Sequence, residues 1–356
     1  MTIRFSDFAD AGVQQKQSTR LPRTPEGFSV YGKHDSRDGS VKLHIQLPNT
    51  DDNSDNYTDV DVDSFEFVAI VTYGTQNGNP QADGREYDGG VITGLSKRGI
   101  YDIYGGSNAN GQFSSTSLGI YQAGNDTREL GLRSQYRIFG VLRSVNGKAP
   151  NSVPELAQLF NDGPVPIVVD LNHHKEMELV KTATPMESYP KPSVYQGKLI
   201  SYSGGKAKEL KYNNGHQNVF NPVFKVTKMS AEQLAKMEEY CQPVLEVVTE
   251  YDRKVDVHDQ LLKTLYNNGF KGKNSVGLIN KLGDADVANA DDLNEYLQKH
   301  GGFANLKASL DGEGNVFGAP QQQGPVLPFD SMPTNGVTPD AGGADEHADE
   351  DMDVPF

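Results

Sequence analysis

The sequence predicts a mainly β protein that ends in a shorter helical segment and an acidic tail. Between residues 28 and 228, short apolar runs recur, and some alternate apolar with polar side chains as half-buried strands do. From Ser230 the apolar residues change to helical spacing, and beyond about residue 308 Gly, Pro, Gln and Asp dominate. Glycine and asparagine pairs between the runs predict turns, at Gly105-Gly106, Asn110-Gly111, Asn146-Gly147 and Asn214-Gly215.

The strand-rich core is predicted to span residues 28–228. Its strands are short and irregularly spaced, which favours a small barrel with elaborated loops over a sandwich. Ser40–Leu47 alternates apolar and polar residues, whereas Phe65–Tyr73 is apolar almost throughout and suits a buried strand. The other predicted strands are Gly90–Gly94, Gly99–Tyr104, Gln135–Leu142, Pro166–Leu171, Met177–Thr182, Val194–Tyr202 and Asn218–Thr227.

A helical appendage is predicted over residues 229–307. Ser230 and Gln233 resemble a capping box, which marks the start of a helix. Apolar residues then recur at helical spacing as far as Tyr266. Pro243 lies inside this stretch and predicts a break or a kink, because proline lacks the N–H that an internal helical position uses.

The remaining segments complete the predicted organisation. Residues 1–27 form an irregular arm, interrupted by prolines and a glycine. A second small helix fits Asp291–His300, because two glycines follow it directly. Residues 308–356 contain too few apolar side chains to fold, so a disordered linker and an acidic tail are expected there.

Charge is distributed unevenly along the 356-residue chain, whose formal net charge is −15. From residue 308 to the end there are ten acidic residues and no Lys or Arg, so residues 1–307 hold 38 acidic against 33 basic residues. Between Lys181 and Lys228 the bias reverses, with eight lysines against two glutamates. A chain with such separated charge can bind a polyanion despite its acidic total.

Several functional classes are not supported by the sequence. The single cysteine, Cys241, cannot form a disulfide or a Cys-rich zinc site within one chain. No apolar run approaches the roughly 18 residues that span a bilayer, and the first ten residues lack the apolar region of a secretory signal. A cytoplasmic location is therefore expected. We found no phosphate-binding loop, nucleophile elbow or zinc-protease motif, so we expect a non-enzyme without a cofactor.

One acidic pattern keeps a metal-dependent enzyme open as a weaker alternative. Asp59, Asp61 and Asp63 share one face of an extended strand and can hold a hard cation such as Mg²⁺. The same alternation is also typical of a solvated strand face.

The C-terminal tail carries the clearest motif. A run of acidic residues ends in an apolar tip whose last residue, Phe356, offers an aromatic ring beside a carboxylate. Such a tip suits a small apolar pocket lined by Arg or Lys. The motif resembles the acidic C-terminal peptide of the single-stranded DNA-binding proteins of bacteria and their phages. The residues that carry the resemblance, and the expected partner-binding set, are Asp349, Glu350, Asp351, Asp353, Val354, Pro355 and Phe356.

The resemblance implies a function. Proteins of that family bind and protect single-stranded DNA in replication, recombination and repair, their tip recruits partner proteins, and their tail competes with DNA for the binding groove. The resemblance does not extend to the core, for which the short strands and the expected function together predict an OB-like barrel. The chain is about twice the usual length and lacks the family's core sequence, which favours a divergent phage protein.

Lysines and tyrosines between residues 189 and 212 give the predicted DNA-binding surface. Lysines neutralise phosphates, and tyrosine rings stack on splayed bases, at about 1–3 kcal/mol per base. The predicted residues are Lys191, Tyr195, Lys198, Tyr202, Lys206, Lys208, Lys211 and Tyr212. A second candidate surface contains Arg133, Tyr136 and Arg137, whereas Phe139, three residues after Tyr136, is expected to be core.

An alternative function is a structural or scaffolding phage protein whose acidic tail is an assembly peptide. The glycine-rich strands and the low apolar content of the chain fit that role as well. Self-association is compatible with either function, and neither involves a membrane.

Overall fold

The computed structural model of the chain describes residues 23–47, 57–107, 114–172, 195–205, 207–212 and 215–312. The predicted strand Met177–Thr182, most of the N-terminal arm and the acidic tail lie outside these residues. The described part is rich in sheet, so the mainly β prediction is confirmed. Its strands, numbered in chain order, are β1 (Val30–His34), β2 (Val41–Gln46), β3 (Tyr57–Val62), β4 (Ser64–Asn77), β5 (Gln81–Ala82), β6 (Arg85–Glu86), β7 (Val91–Thr93), β8 (Ile100–Ser107), β9 (Ser114–Gln122), β10 (Arg133–Val145), β11 (Val165–Asn172), β12 (Lys198–Ser203), β13 (Ala207–Tyr212), β14 (Gly215–Phe220) and β15 (Val223–Lys228).

The main sheet has eight strands in the order β15-β12-β4-β10-β11-β1-β2-β3. Neighbouring strands are antiparallel except β1 and β11, which are parallel. Only Asp63 separates β3 from β4, so one long, bent stretch of chain pairs with β2 through its first part and with β12 through its second. Because the start of β2 and the end of β12 meet along this stretch, the sheet curls around a core.

The curled sheet differs from the predicted barrel. Within the described strands, β15 and β3 are the two ends of the hydrogen-bonded order and do not pair with each other. No closed barrel is formed by these pairings, and the predicted OB-like barrel is not confirmed. The curl does bring distant strands together: a Cβ on Gly204, after β12, would clash with the carbonyl oxygen of Gly39, before β2.

The inner face of the curled sheet buries one apolar core. Alternating residues of β1, β2, β4, β10, β11 and β12 supply it, as period-two patterning requires. Phe65 and Phe67 of β4 lie at its centre, both fully buried. A short helix, α2 (Pro154–Phe160), adds Leu156 to the same core.

The outer face of β4, β10 and β11 is covered by a 37-residue helix, α3 (Ala231–Asn267). Ser230 caps it through the predicted capping box with Gln233. The helix packs apolar side chains such as Val244, Val248 and Tyr251 against the sheet. It continues through Pro243, so the predicted break does not occur. Burial of the residues on both sides of the proline offsets the lost hydrogen bond.

The helical segment is therefore not a separate appendage, since α3 shares a core with the sheet. Beyond α3, a second helical core forms between its last turns and three short helices. The predicted second helix is confirmed as α5, and two further helices flank it. The remaining helices are α1 (Asn125–Glu129), α4 (Leu278–Asp284), α5 (Ala290–His300) and α6 (Gly302–Gly312).

The described residues also form three smaller sheets: β5-β6, β7-β8-β9 and β13-β14. The predicted turn at Gly105-Gly106 is wrong, because both glycines lie within β8. A Cβ on Gly105 would lie 2.5 Å from the Tyr87 ring, so close packing rather than a turn explains this glycine. None of the helices in the described residues has an apolar stretch long enough to cross a membrane.

Candidate nucleic-acid interface

Two strands at one end of the main sheet carry three of the lysines from the basic segment. β12 and β15 pair antiparallel, and this register places Lys198 directly opposite Lys228. Lys198 is half-buried, whereas Lys225 and Lys228 are exposed. Burial lowers the pKa of the Lys198 ammonium, and the adjacent charge of Lys228 lowers it further.

These lysines are not neutralised by the described part of the chain. Among the described residues, Lys198, Lys225 and Lys228 have no carboxylate within ion-pair distance. Like charges directly opposite each other in a ladder are destabilising. The pair formed by Lys198 and Lys228 therefore has an unfavourable interaction that a bound anion between them would relieve.

A two-stranded ribbon, β13-β14, connects β12 to β15 and continues the basic segment. Its register places Lys208 opposite Val219, Lys211 opposite His216 and Tyr212 opposite Gly215. The ribbon ends beside the turn that joins β1 and β2, where the Phe220 N–H donates to the Ser36 carbonyl oxygen at 2.8 Å. Of the predicted lysines, Lys191 and Lys206 lie outside the described residues.

The two predicted stacking tyrosines do not face solvent. Tyr195 is 2% exposed and Tyr202 is 1% exposed, and both belong to the inner core. Tyr202 stacks on Phe65, with ring centroids 4.9 Å apart, and meets the edge of Phe224. The prediction that these rings stack on bases is wrong for this structure, because apolar neighbours already occupy their faces.

Gly197 explains why the two rings share one core. On a regular strand, residues seven apart would point to opposite faces. Gly197 has a φ of 67°, and β12 begins only at Lys198, so the chain turns between Tyr195 and Tyr202.

The second predicted surface is divided between the interior and solvent. Arg133 is exposed at the start of β10, and Tyr136 is half-buried against the inner core. Arg137 is 4% exposed and forms two hydrogen bonds to Asp170, both 2.7 Å long. Burial lowers its pKa, but the contact with Asp170 raises it and prevails. Arg137 is therefore a structural residue, and its prediction as a DNA contact is corrected.

Arg23, at the start of the described chain, reinforces the structural role of Arg137. The guanidinium of Arg137 donates to the Arg23 carbonyl oxygen at 3.0 Å, and the Arg23 side chain donates to the Val91 carbonyl oxygen at 2.9 Å. Burial and the neighbouring Arg137 lower the pKa of Arg23 to about 10. This part of the predicted arm is thus fixed to the sheet.

A mixed patch on the outer face of β1, β2 and β3 was not predicted from the sequence. Lys33 lies opposite Lys42, and His44 lies beside Tyr57, with stacked rings 4.3 Å apart. Burial lowers the pKa of Lys33, which the carboxylate of Asp59 partly opposes. The alternation in Val41–Gln46 also indicates this exposed face, but only the buried face was used for prediction.

A further exposed ring lies on helix α3. Tyr240 is 43% exposed, and its hydroxyl donates to the Asp162 carbonyl oxygen at 3.4 Å. Partial burial raises its pKa, and the nearby Arg143 guanidinium opposes this rise. A ring beside an exposed cation is a usable contact for a base and its phosphate, but helical periodicity alone did not reveal it.

Two of the three alternating aspartates, Asp59 and Asp61, pair with basic side chains across the β2-β3 ladder. Asp59 accepts a hydrogen bond from His44 Nδ1 at 2.5 Å, and Asp61 lies 3.5 Å from Lys42 Nζ. Asp63 follows the strand, and its N–H donates to Asn146. Cross-strand pairing therefore accounts for Asp59 and Asp61, two of the three aspartates that were considered as a possible cation site.

The predicted partner-binding residues, from Asp349 to Phe356, lie outside the described residues, so their role stays a prediction. Comparison of the chain with protein families, with curated proteins and with solved structures found no match.

Proposed function

We propose that this protein binds single-stranded DNA through the basic end of its curled sheet. The observation that carries the proposal is the cross-strand pair of Lys198 and Lys228, which is close to the surface and lacks a carboxylate partner among the described residues. A phosphate backbone supplies the missing negative charge. The mechanism involves no covalent step. Lysines neutralise phosphates, and the release of counterions from the DNA drives binding.

The positions of the lysines define the proposed path of the bound DNA strand. Lys198 and Lys228 lie at one end of the β12-β15 ladder, and the β13-β14 ribbon, which joins the two strands at the other end, carries Lys208 and Lys211. Because Tyr195 and Tyr202 are buried, the bases need other rings. Tyr212 in the ribbon stays the proposed stacking residue of this segment.

An OB-like mode of binding is part of the proposal. OB folds hold single strands on a curved sheet with help from the loops that border it. The curled sheet and the long ribbon between β12 and β15 are compatible with that mode, although the strand order does not form a closed barrel.

In this proposal the acidic tail recruits partner proteins. Seven acidic residues lie between Asp340 and Asp353, with no Lys or Arg among them. A tethered polyanion competes with DNA for the same lysines at a high effective concentration. DNA binding then releases the apolar tip, Val354-Pro355-Phe356, for replication and repair proteins.

The test is a fluorescence anisotropy titration with labelled oligo-dT at several salt concentrations. The double variant Lys198→Ala and Lys228→Ala should bind more weakly. Its salt dependence should flatten by about 1.4 in log K against log salt, at roughly 0.7 for each lost phosphate contact. A control variant, Lys263→Ala and Lys307→Ala, changes the charge equally at exposed helical positions and should behave like the wild type.

The variant should remain folded, because removing two like charges relieves repulsion in the ladder. Thermal unfolding checks this directly. A wild-type protein that fails to bind oligo-dT would refute the function and favour the structural alternative. Wild-type binding with an unchanged slope in the variant would move the interface elsewhere, with Lys33 and Lys42 as the next candidates.

A further inference from the structure

Two open edges of the main sheet carry opposite charges. Among the described strands, β15 ends the hydrogen-bonded order on one side and β3 ends it on the other. Each edge strand has six residues. On the outer face, β15 exposes Lys225 and β3 exposes Asp61, whose side chain is 82% exposed. One edge is thus basic and the other acidic.

The inner faces of the same two strands are also complementary. Phe224 and Val226 of β15 belong to or pack against the inner core. Val60 and Val62 of β3 pack against that core in the same way. Phe224 and Val226 of β15 therefore lie on the face opposite to Lys225, as Val60 and Val62 of β3 lie on the face opposite to Asp61, although Lys228 ends β15 on the apolar side.

The strand directions determine how two copies can meet. Six antiparallel pairings and one parallel pairing separate β15 from β3, so the two edges run in the same direction. A second copy that keeps the same face outward therefore brings its β15 against β3 as a parallel neighbour. Turning the copy over would match an apolar face with a charged one.

We propose that the protein associates head to tail, with β15 of one copy pairing in parallel with β3 of the next. A register that places Lys225 beside Asp61 also places Phe224 beside Val60 and Val226 beside Val62. Backbone hydrogen bonds, an ion pair and two apolar contacts then form together. An interface between two different surfaces repeats from copy to copy, so the expected product is a ring if the rotation between copies closes and an open chain if it does not.

The charges also exclude the competing pairings. Two β15 edges would bring lysines together, and two β3 edges would bring aspartates together, which is unfavourable in a ladder. Edge charges are a usual protection against unwanted strand pairing. Here they prevent pairing of like edges while leaving the pairing of unlike edges favourable.

The test is sedimentation velocity of the full chain over a range of concentrations, without nucleic acid, at low and high salt. The wild type should form larger species as concentration rises, and salt should weaken this association. Lys225→Glu and Asp61→Lys should each weaken association by at least about tenfold, because each places like charges side by side. Lys236→Glu and Asp311→Lys control for charge reversal at exposed positions outside both edges.

The decisive protein is the double variant, Lys225→Glu with Asp61→Lys. It restores opposite charges only if β15 meets β3, whereas a β15–β15 or a β3–β3 contact would remain repulsive. Its association should return to near the wild-type level. Circular dichroism confirms folding, and the milder pair Lys225→Ala and Asp61→Asn replaces any variant that fails to fold.

Three results would overturn the inference. They are a monomeric wild type at all concentrations, single variants that associate as the wild type does, and a folded double variant that stays monomeric. None of these results depends on DNA binding, so the inference and the proposed function fail or succeed separately.

Discussion

The hydroxyl of Tyr73 donates a hydrogen bond to Asp252 at 2.6 Å, and this contact joins strand β4 to helix α3. Asp252 also accepts from Lys97 Nζ at 2.7 Å. Both Tyr73 and Asp252 are buried, and they lie 179 residues apart in the chain. Burial, together with the neighbouring carboxylate, raises the pKa of Tyr73 well above its ordinary value. Sheet and helix are therefore held together by a buried polar network as well as by apolar packing.

Replacing Tyr73 by Phe should destabilise the protein without changing its fold. The ring remains in the core, but the carboxylate of Asp252 loses one of its two donors. The loss of a hydrogen bond to a charged acceptor costs about 1.5–3 kcal/mol. Thermal or urea unfolding measures it. Tyr87→Phe, at a half-buried position near β7, is the matched control, and an equal effect from both variants would contradict the role of this contact.

Asp259 should make stability depend on pH in the acidic range. It is fully buried, and burial raises its pKa to about 6, although the Lys97 and Arg98 N–H groups donate to it. The folded state therefore holds this proton more tightly than the unfolded state. The stabilisation is fully present below about pH 4 and is lost as pH rises through about 6.

Asp259→Asn should remove that pH dependence, because an amide does not titrate in this range, and its oxygen can still accept from the same N–H groups. The effect should be of the order of 1.4 kcal/mol for each unit by which the pKa is raised. Burial lowers the pKa of the neighbouring His258, but the hydrogen bond to Asp102 and the charges of Asp102 and Asp259 raise it and prevail. Unfolding between pH 4 and 6 is the measurement, with exposed Asp284→Asn as control. An unchanged slope in Asp259→Asn would refute the assignment.

Tyr202 should behave as a core residue rather than as a DNA contact. Tyr202→Ala leaves a cavity beside Phe65 and Phe224 and should cost about 3–5 kcal/mol of stability. Tyr202→Phe keeps the ring and should leave oligo-dT affinity within about twofold. A folded Tyr202→Phe or Tyr202→Leu protein with strongly reduced affinity would return this ring to the interface.

Deleting residues 340–356 should strengthen oligo-dT binding, most of all at low salt. The deletion removes seven acidic residues that compete for the lysines. Since a Debye length of about 10 Å in 0.1 M salt screens the competitor, the gain should shrink as salt rises. Paired titrations of the full chain and the truncated chain measure this. Equal affinities at low salt would show that the tail does not compete.

Removing Phe356 alone should leave oligo-dT affinity almost unchanged, because all acidic residues of the tail remain. Partner capture should fall sharply, by an amount typical of losing an aromatic anchor, about 2 kcal/mol or more. A pull-down from bacterial lysate compares the two proteins. Retention of the same partners by the shortened chain would refute the docking role of the tip.

Local patterns predicted much of the secondary structure. Strand β2 lies within the predicted Ser40–Leu47, the predicted Phe65–Tyr73 lies within the longer β4, and Ser230 with Gln233 starts α3 as expected. These features depend on neighbours two to four residues away, so the sequence displays them directly. The prediction of a turn at Gly105-Gly106 was wrong, because a distant ring rather than the local backbone requires glycine there.

By itself, the sequence determined the alternation of the strands, the cap of the long helix and the separation of basic from acidic segments. Only the tertiary structure decided which face of each strand is covered. Alternation shows which side chains share a face, but burial depends on what packs against that face. For this reason the sequence alone did not show that Tyr202 packs in the core or that Arg137 binds Asp170. Pairing between strands distant in sequence likewise placed Lys198 opposite Lys228.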